Sequence, residues 1–358
     1  MITPMASPAG VAIVGVAMSD RFEIRTELPP SDIVYPVVRD ALADAGVSMD
    51  DIHSIVSCSQ DIYDGRTISS MGVNEVLGGY LRSESKIAGD GLLALLYGAA
   101  RIVSGEYDLT IVVAHCMESI SDLHVVENAA FDPYVQRPLD PDNTVAAALQ
   151  ADAFYRASGL GPDDAADVSA RASEHAARNP RAFRRTAHTA AEVAASATVC
   201  GPLRELEGTP ITDGACALVL ASPERAGNGA IWLRGIGNTT DTFWTDRDIA
   251  DTGALRRAAE TASAQAGLRA SDCEVVETAA CWAHEQLMHL PALGLDPHTD
   301  VNPSGGQLGG CPKYVVGLAR AAEAALLLRG DATNALVHAP SGIANQQHTV
   351  AYLSRERG

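Results

Sequence analysis

Positive charge is scarce in this sequence. Its 358 residues carry 26 Lys and Arg against 45 Asp and Glu, a net charge of −19 at pH 7. A polyanion such as nucleic acid, or an anionic membrane surface, would be repelled by such a chain. The plainer consequence of an acidic surface is solubility. Zinc-site spacing is also missing. The cysteines are Cys58, Cys116, Cys200, Cys216, Cys273, Cys281 and Cys311, and no two stand in a Cys-x-x-Cys pair, so no metal is expected. An odd number of thiols in a large chain fits a reducing, cytoplasmic compartment. Aromatics make up only 5% of the residues, so Ala, Val, Leu and Gly must fill the interior, as in tightly packed α/β layers. No apolar run reaches the length of a membrane span. The opening MITPMASPAGVAIVGVAMSD has no basic n-region and reads as a first strand, not a signal peptide.

Against those absences stands one glycine-dense stretch, VNPSGGQLGGCPKYVVGLAR (Val301–Arg320). Gly305, Gly306, Gly309 and Gly310 let the backbone turn tightly and approach a ligand. Cys311 and Pro312 follow and are predicted to open an apolar helix running to Leu328. A residue at a helix start sits among free N–H groups, which makes Cys311 a candidate nucleophile or acid/base. A buried, inert cysteine on a flexible turn is the alternative.

A second stretch has the same plan. Lys86–Ser119 ends a strand at Ile87–Ala88, turns through Gly89-Asp90-Gly91, enters an almost wholly apolar helix (Leu92–Val103), stops at Gly105, and continues into a strand from Leu109 to Ala114, with His115-Cys116 at its end. Near the C-terminus the apolar helix stops at Gly330 and a strand, Ala335–Val337, ends at His338. The repeated order predicts two similar halves packed back to back, with Ala88 and Cys311 at equivalent places.

The remaining pattern is read more briefly. Val11–Val16 and Ile52–Ser57 are strands. Ser31–Ala45 is a helix with Ser31 as its cap and Gly46 as its stop. Ser57–Ser69 is a polar loop whose Tyr63, Asp64 and Arg66 are candidate rim contacts or a solvated connection. Thr144–Ala157, Asp164–Ala177 and Thr252–Ala266 are helices, the last with Asp251 as a possible cap. Ile211–Ser222 and Ile231–Ile236 are strands, and Cys273–Leu295 is a strand followed by a helix. Arg178, Arg181, Arg184 and Arg185, with Arg171 just before, form the one basic island. It can receive a phosphate or be a charged surface helix.

Together these stretches resemble the thiolase superfamily. NPSGGQLGGCP is similar to its glycine loop, DGACALVLAS to the strand after its inserted loop domain, and SGEYDLTIVVAHCMES to the segment after its central helix. VETAACWAHE resembles the strand-end motif of sterol-carrier-type thiolases, and HAPSGIANQQHTVAYLS the closing glycine turn. The resemblance implies a five-layer α-β-α-β-α fold of two halves, residues 1–118 and 207–358, with a loop domain at 119–206, and an obligate dimer or heteromer.

The family's chemistry does not carry over residue by residue. The nucleophilic cysteine's place falls on Ala88, which cannot form an acyl-enzyme. The catalytic histidine's place falls on Cys311, the strand-end His or Asn on Ala279, and the second cysteine near His338. The nearest pattern is that of actinobacterial lipid-transfer-type homologues. Some relatives there work with a small OB-fold partner, often bearing a zinc ribbon, that binds acyl-CoA; some are retro-aldolases. Aldol cleavage needs a base and enolate-stabilising donors, not a covalent nucleophile.

The expected activity is therefore carbon–carbon bond cleavage or formation beside a CoA or carrier-protein thioester, with no cofactor bound by this chain. The alternatives are a non-catalytic scaffold subunit and an acyl-CoA or lipid-binding protein. Cys311, His338 and Asp90 are the catalytic candidates, His338 as a base that titrates near neutrality and Asp90 as a base or a helix cap. Ala88, Gly310, Gly342, Cys281, His115 and Arg184 are the binding candidates, with the Gly310 and Gly342 N–H groups as an oxyanion hole by resemblance.

Overall fold

Strand β1 (Val11–Met18) is the seam of the molecule. The computed structural model describes residue 8 and residues 10–358; the rest of the N-terminal stretch read above lies outside the described residues. After β1 come helix α1 (Pro30–Ala45), strands β2 (Ser54–Cys58) and β3 (Ser83–Ile87), helix α2 (Gly91–Val103) and strand β4 (Leu109–Met117). Helices α3 (Leu123–Asn128), α4 (Asn143–Ser158), α5 (Pro162–Arg178) and α6 (Ala190–Ala194), then the short strands β5 (Thr198–Cys200) and β6 (Leu203–Arg204), separate β4 from β7 (Asp213–Ala221). The chain closes with β8 (Ile231–Thr240), α7 (Gly253–Ala266), β9 (Val275–Thr278), α8 (Ala283–Ala292), α9 (Val316–Leu328), β10 (Asn334–Ser341) and β11 (Gln347–Ser354).

The strands run in the order β3-β2-β4-β7-β1-β8-β11-β10-β9. Among the described residues, the sheet passes from one half to the other where Val11–Ile13 pairs with Leu233–Ile231 of β8. Beyond that short seam the halves diverge, and α2 and α9 fill the space between them in one alanine- and leucine-rich core. Helix α1 covers the outer face of the first half; α7 and α8 cover that of the second. The result is two halves packed back to back, as the repeat predicts, in the five-layer α-β-α-β-α arrangement that the resemblance implies. Small side chains permit this closeness. An added Cβ at Gly91 would lie 2.7 Å from the Leu318 Cβ, and one at Gly317 would lie 1.7 Å from an Asp90 carboxylate oxygen. Such approaches exclude any side chain.

Several local expectations are corrected. Cys311 and Pro312 do not open a helix: they have no regular structure, residues 313–315 are turn, and α9 starts at Val316. His115 and His338 are not strand ends, because β4 continues to Met117 and β10 to Ser341, paired throughout with β7 and β11. Pro29, not Ser31, is the N-cap of α1, and Pro30 occupies its first turn, where a missing N–H costs nothing. Thr252 is the N-cap of α7, although Asp251 Oδ2 still accepts the Gly253 N–H at 3.1 Å. The arginine island is not a surface helix, since α5 ends at Arg178 and the chain then turns.

Candidate functional site

Where the N-termini of the two central helices meet, a cavity of about 450 Å³ opens. Its wall is assembled from distant stretches: Tyr63 from the loop after β2, Asp90 before α2, Glu118 and Glu127 after β4, Cys281 and Glu285 around the start of α8, Lys313 and Tyr314 before α9, and residues 340–345 after β10.

Asp90 lies at the crossing itself. Its Oδ1 accepts the Leu92 N–H at 2.7 Å, capping α2, and its Oδ2 accepts the Gly317 N–H of α9 at 3.1 Å. Burial outweighs these donors and raises its carboxyl to about 7. Glu118 is 3% exposed. Burial lifts it to about 7 although Lys313 pulls the other way through both its charge and its backbone N–H. Glu285, whose Oε2 accepts the Cys281 N–H at 2.7 Å, is likewise raised to about 7 by burial. Three carboxyls on one wall are therefore set to exchange protons near neutral pH.

Lys313 is the ammonium among them. Burial opposes its charge, but Glu118 and Glu127 outweigh burial and hold it well above the usual lysine range. Its Nζ donates to Glu127 Oε1 and sits 5.7 Å from the Tyr63 ring centre. The Tyr63 hydroxyl donates to the same Glu127 oxygen at 3.4 Å, and the Tyr63 and Tyr314 rings meet edge to face at 5.1 Å.

The backbone is strained at this wall. Tyr314 (φ 65°), Ala344 (φ 49°) and Asn345 (φ 58°) hold left-handed conformations without being glycine, a cost of about 1–3 kcal/mol each that surrounding contacts must sustain. The contacts are visible at Ala344–Asn345. Gln150 Nε2 donates to the Ala344 carbonyl at 3.0 Å and Gln150 Oε1 accepts the Asn345 amide at 3.1 Å.

Of the candidates read from sequence, Asp90, Cys281 and Gly342 line the cavity, as does Tyr63. The others lie elsewhere. Cys311 is fully buried in the central core and not at a helix start, and burial pushes its thiol up to about 12. His338 is sealed behind the wall. Its Nε2 lies 3.1 Å from His348 Nδ1, and its ring is 4.8 Å from that of His289. Burial drives its pKa well below the histidine range, which removes the neutral-pH titration that suggested it as a base. Ala88 is on an exposed turn and Gly310 is in the core, its N–H bonded to the Gln307 carbonyl at 2.9 Å; neither lines the cavity. The Gly310 N–H is thus committed and does not form an oxyanion hole.

His115 is buried inside β4, its Nε2 3.2 Å from Asp64 Oδ2. Asp64 is buried too, and Arg66 is exposed. Arg184 does not await a phosphate: its guanidinium donates to the carbonyls of Gly208 (2.6 Å), Glu205 (3.3 Å) and Leu206 (3.5 Å). Cys281 accepts a hydrogen bond from Gln307 at 3.1 Å, and burial raises its thiol strongly. Among the described residues no group of three or more His, Cys, Asp or Glu is arranged to hold a metal ion, and no helix is long and apolar enough to cross a membrane.

Glu118, Glu127, Glu285 and Lys313 carry no local signature. The available signal for Lys313 and Tyr314 was their place after a glycine loop, and for Glu285 its place in VETAACWAHE, whose resemblance pointed to Ala279 instead.

No family model matches the sequence. Acetyl-CoA acetyltransferase of Methanothermobacter thermautotrophicus is 27% identical over 357 residues, covering 90% of this chain and 91% of that protein. Sterol carrier protein 2 of Oryctolagus cuniculus is 27% identical over 187 residues, 44% of this chain and 34% of that longer protein. Among solved structures, an Ltp2-ChsH2(DUF35) aldolase superposes with a TM-score of 0.82 at 20% identity, covering 98% of both chains. A monomeric SCP2-thiolase-like protein of Mycobacterium smegmatis gives 0.76 at 20% identity, covering 98% of this chain and 78% of that one. With the five-layer fold and the matches along its length, this chain is similar to proteins of the thiolase superfamily, sterol-carrier-type thiolase-like proteins among them.

Proposed function

We propose that the chain is an enzyme that breaks or makes the Cα–Cβ bond of a β-hydroxyacyl thioester by aldol chemistry, without an acyl-cysteine. The observation that carries this is the cavity wall: one ammonium, Lys313, among carboxyls set near neutrality, beside a cysteine, Cys281, whose thiol burial keeps neutral. Glu118, whose carboxyl burial raises to about 7, takes the β-hydroxyl proton in its ionised form. The Cα–Cβ electron pair passes into the thioester as an enolate while the β-carbon becomes a carbonyl. Lys313, whose ammonium has donors beyond the one given to Glu127, stabilises the enolate oxygen. None of these steps requires a thiolate.

The substrate is an acyl thioester of CoA or a carrier protein, and the compartment is the cytoplasm. A solved relative described as an aldolase pairs with a DUF35 protein, which supports a small OB-fold, zinc-ribbon partner for this chain. We further propose that residues 119–206 form an inserted domain closing one side of the cavity, and that the active assembly is a homodimer or heteromer. The test is purification of the native assembly and assay on β-hydroxyacyl-CoA and β-ketoacyl-CoA panels, with Glu118→Gln in parallel. Release of an aldehyde or ketone plus a shortened acyl-CoA, reduced at least about 100-fold by the substitution, is the expected result. Activity confined to a cysteine-bearing subunit that co-purifies would make this chain a scaffold instead.

A further inference from the structure

We propose that Asp213, together with Asp64, is a positioning residue that holds the base Glu118 by gripping the backbone on either side of it. Glu118 sits where β4 gives way to a single 3-10 turn, Glu118–Ile120. The ladder with β7 ends one residue earlier, at Met117 opposite Asp213. On the C-terminal side, Asp213 Oδ1 accepts the Ser119 N–H at 2.9 Å and Oδ2 accepts the Ser119 hydroxyl. The same Oδ2 accepts the Arg25 N–H at 2.8 Å. On the N-terminal side, Asp64 Oδ1 accepts the Met117 N–H at 3.2 Å, and Asp64 Oδ2 lies 3.2 Å from His115 Nε2. Both aspartates are buried, Asp213 fully. A carboxylate is costly to bury unless its oxygens are bonded, and most of the donors here flank one cavity residue. Neither aspartate lines the cavity. Asp213 opens DGACALVLAS and Asp64 lies in the polar loop after β2, two stretches that the cavity chemistry leaves unused.

The grip also sets the surroundings of Glu118. Three charged groups face it: Lys313 before α9, Glu127 on α3 and Asp213 at the start of β7. Burial is the largest influence against ionisation; Lys313 favours it, and Glu127 and Asp213 oppose it. The thiols and phenols facing it, Cys116, Cys281, Cys311, Tyr63 and Tyr314, are kept neutral by burial. A carboxyl released from this seat reaches the open cavity and loses the burial that raises it. A reacting group misplaced by about 1 Å costs about 100-fold in rate, so anchors on both neighbouring peptides matter to a base.

In the cleavage direction the β-hydroxyl O–H bond breaks and its proton passes to Glu118; the aspartates neither touch the substrate nor exchange a proton. The inference rests on the aldol reading, so its primary test does not depend on turnover.

Difference infrared spectroscopy of the full chain, with Glu118→Gln to identify the carboxyl band, gives the Glu118 titration midpoint in wild type, Asp213→Asn, Ser119→Ala and Ser119→Thr. Asp213→Asn keeps the size of the side chain but removes its charge and turns one acceptor into a donor. Ser119→Ala removes the hydroxyl that Asp213 holds, and Ser119→Thr keeps it. The expected result is a midpoint lowered by about half a unit in Asp213→Asn and Ser119→Ala, and restored in Ser119→Thr. A midpoint unmoved in Ser119→Ala overturns the proposal even if Asp213→Asn does not fold. A second readout is turnover of the native assembly, where Ser119→Ala is expected to lower kcat about 10-fold at unchanged KM. A raised KM at unchanged kcat overturns the positioning role. A lowered midpoint in an assembly that cleaves no β-hydroxyacyl-CoA sinks the aldol reading and leaves the grip on Glu118 standing; cleavage with midpoint and kcat unmoved in the variants sinks this inference alone.

Discussion

Gly317→Ala tests the centre of the structure. The new Cβ would stand 1.7 Å from Asp90 Oδ1 and 2.7 Å from the Leu92 Cβ, so one of the two helices must move. Overpacking of a tight core costs about 1–3 kcal/mol. The displaced carboxylate also loses the Gly317 N–H bond, now 3.1 Å, and a hydrogen bond to a charged group is worth about 1.5–3 kcal/mol. The combined loss of about 2.5–6 kcal/mol is a large share of the roughly 5–15 kcal/mol that holds a domain folded. Urea denaturation followed by circular dichroism measures it as a lowered midpoint. Gly105→Ala is the comparison: its φ is +76° but nothing lies within 4 Å of an added Cβ, so only backbone strain of about 1 kcal/mol is expected. If Gly317→Ala loses less than about 0.5 kcal/mol, the size of an ordinary surface change, the helices do not meet as described.

Four buried histidines, His284, His289, His338 and His348, have pKa values lowered by burial, two of them to about 3. Their depressed values mean that the unfolded chain binds protons first, so stability is fully present above about pH 6.5 and declines below it by about 1.4 kcal/mol per pH unit for each histidine. Asp90, Glu118 and Glu285, raised to about 7, act oppositely between roughly pH 7 and pH 4, because the folded state takes their protons first. Thermal melts should therefore change gently from pH 7 to about 4.5 and fall steeply below; a steep fall already between pH 7 and 6 would contradict this balance. Lys313→Met leaves Glu118 and Glu127 facing each other without their cation. We expect a stability loss of about 1–3 kcal/mol, discounted for the partial exposure of the pair, together with loss of activity and a Glu118 midpoint above 7. An unchanged Glu118 titration would refute the ion-pair account. Arg184→Ala should lower the denaturation midpoint by releasing the 205–208 carbonyls while leaving KM for the thioester unchanged; a raised KM at unchanged stability would restore it as a ligand contact.

The layered fold was legible because its causes are local. The apolar α2 and α9 have no polar face to give to water, so they had to be interior, and the equal offset from Gly105 to Val113 and from Gly330 to His338 marked the two halves. Asp90 was read as a cap or a base, and its cap bond to Leu92 was visible in the Asp-Gly turn before an apolar run. Its second bond, to Gly317, was not, because those residues are joined only when two helices 227 positions apart in sequence cross.

Helix starts and strand ends were less legible, and the site suffered for it. A helix boundary five residues too early puts Cys311 at a helix N-terminus, and a strand end three residues too early puts His338 at the end of its strand; the fold buries both. Sequence alone determined the composition of the layers, their duplication and the absence of a cysteine at the Ala88 turn, since these depend on side-chain size and periodicity along the chain. Only the tertiary structure decided that Glu118, Glu285 and Asp90 share one wall with Lys313. A carboxyl's pKa and a lysine's partners are set by desolvation and by charges brought near through space, and no spacing in the chain encodes either.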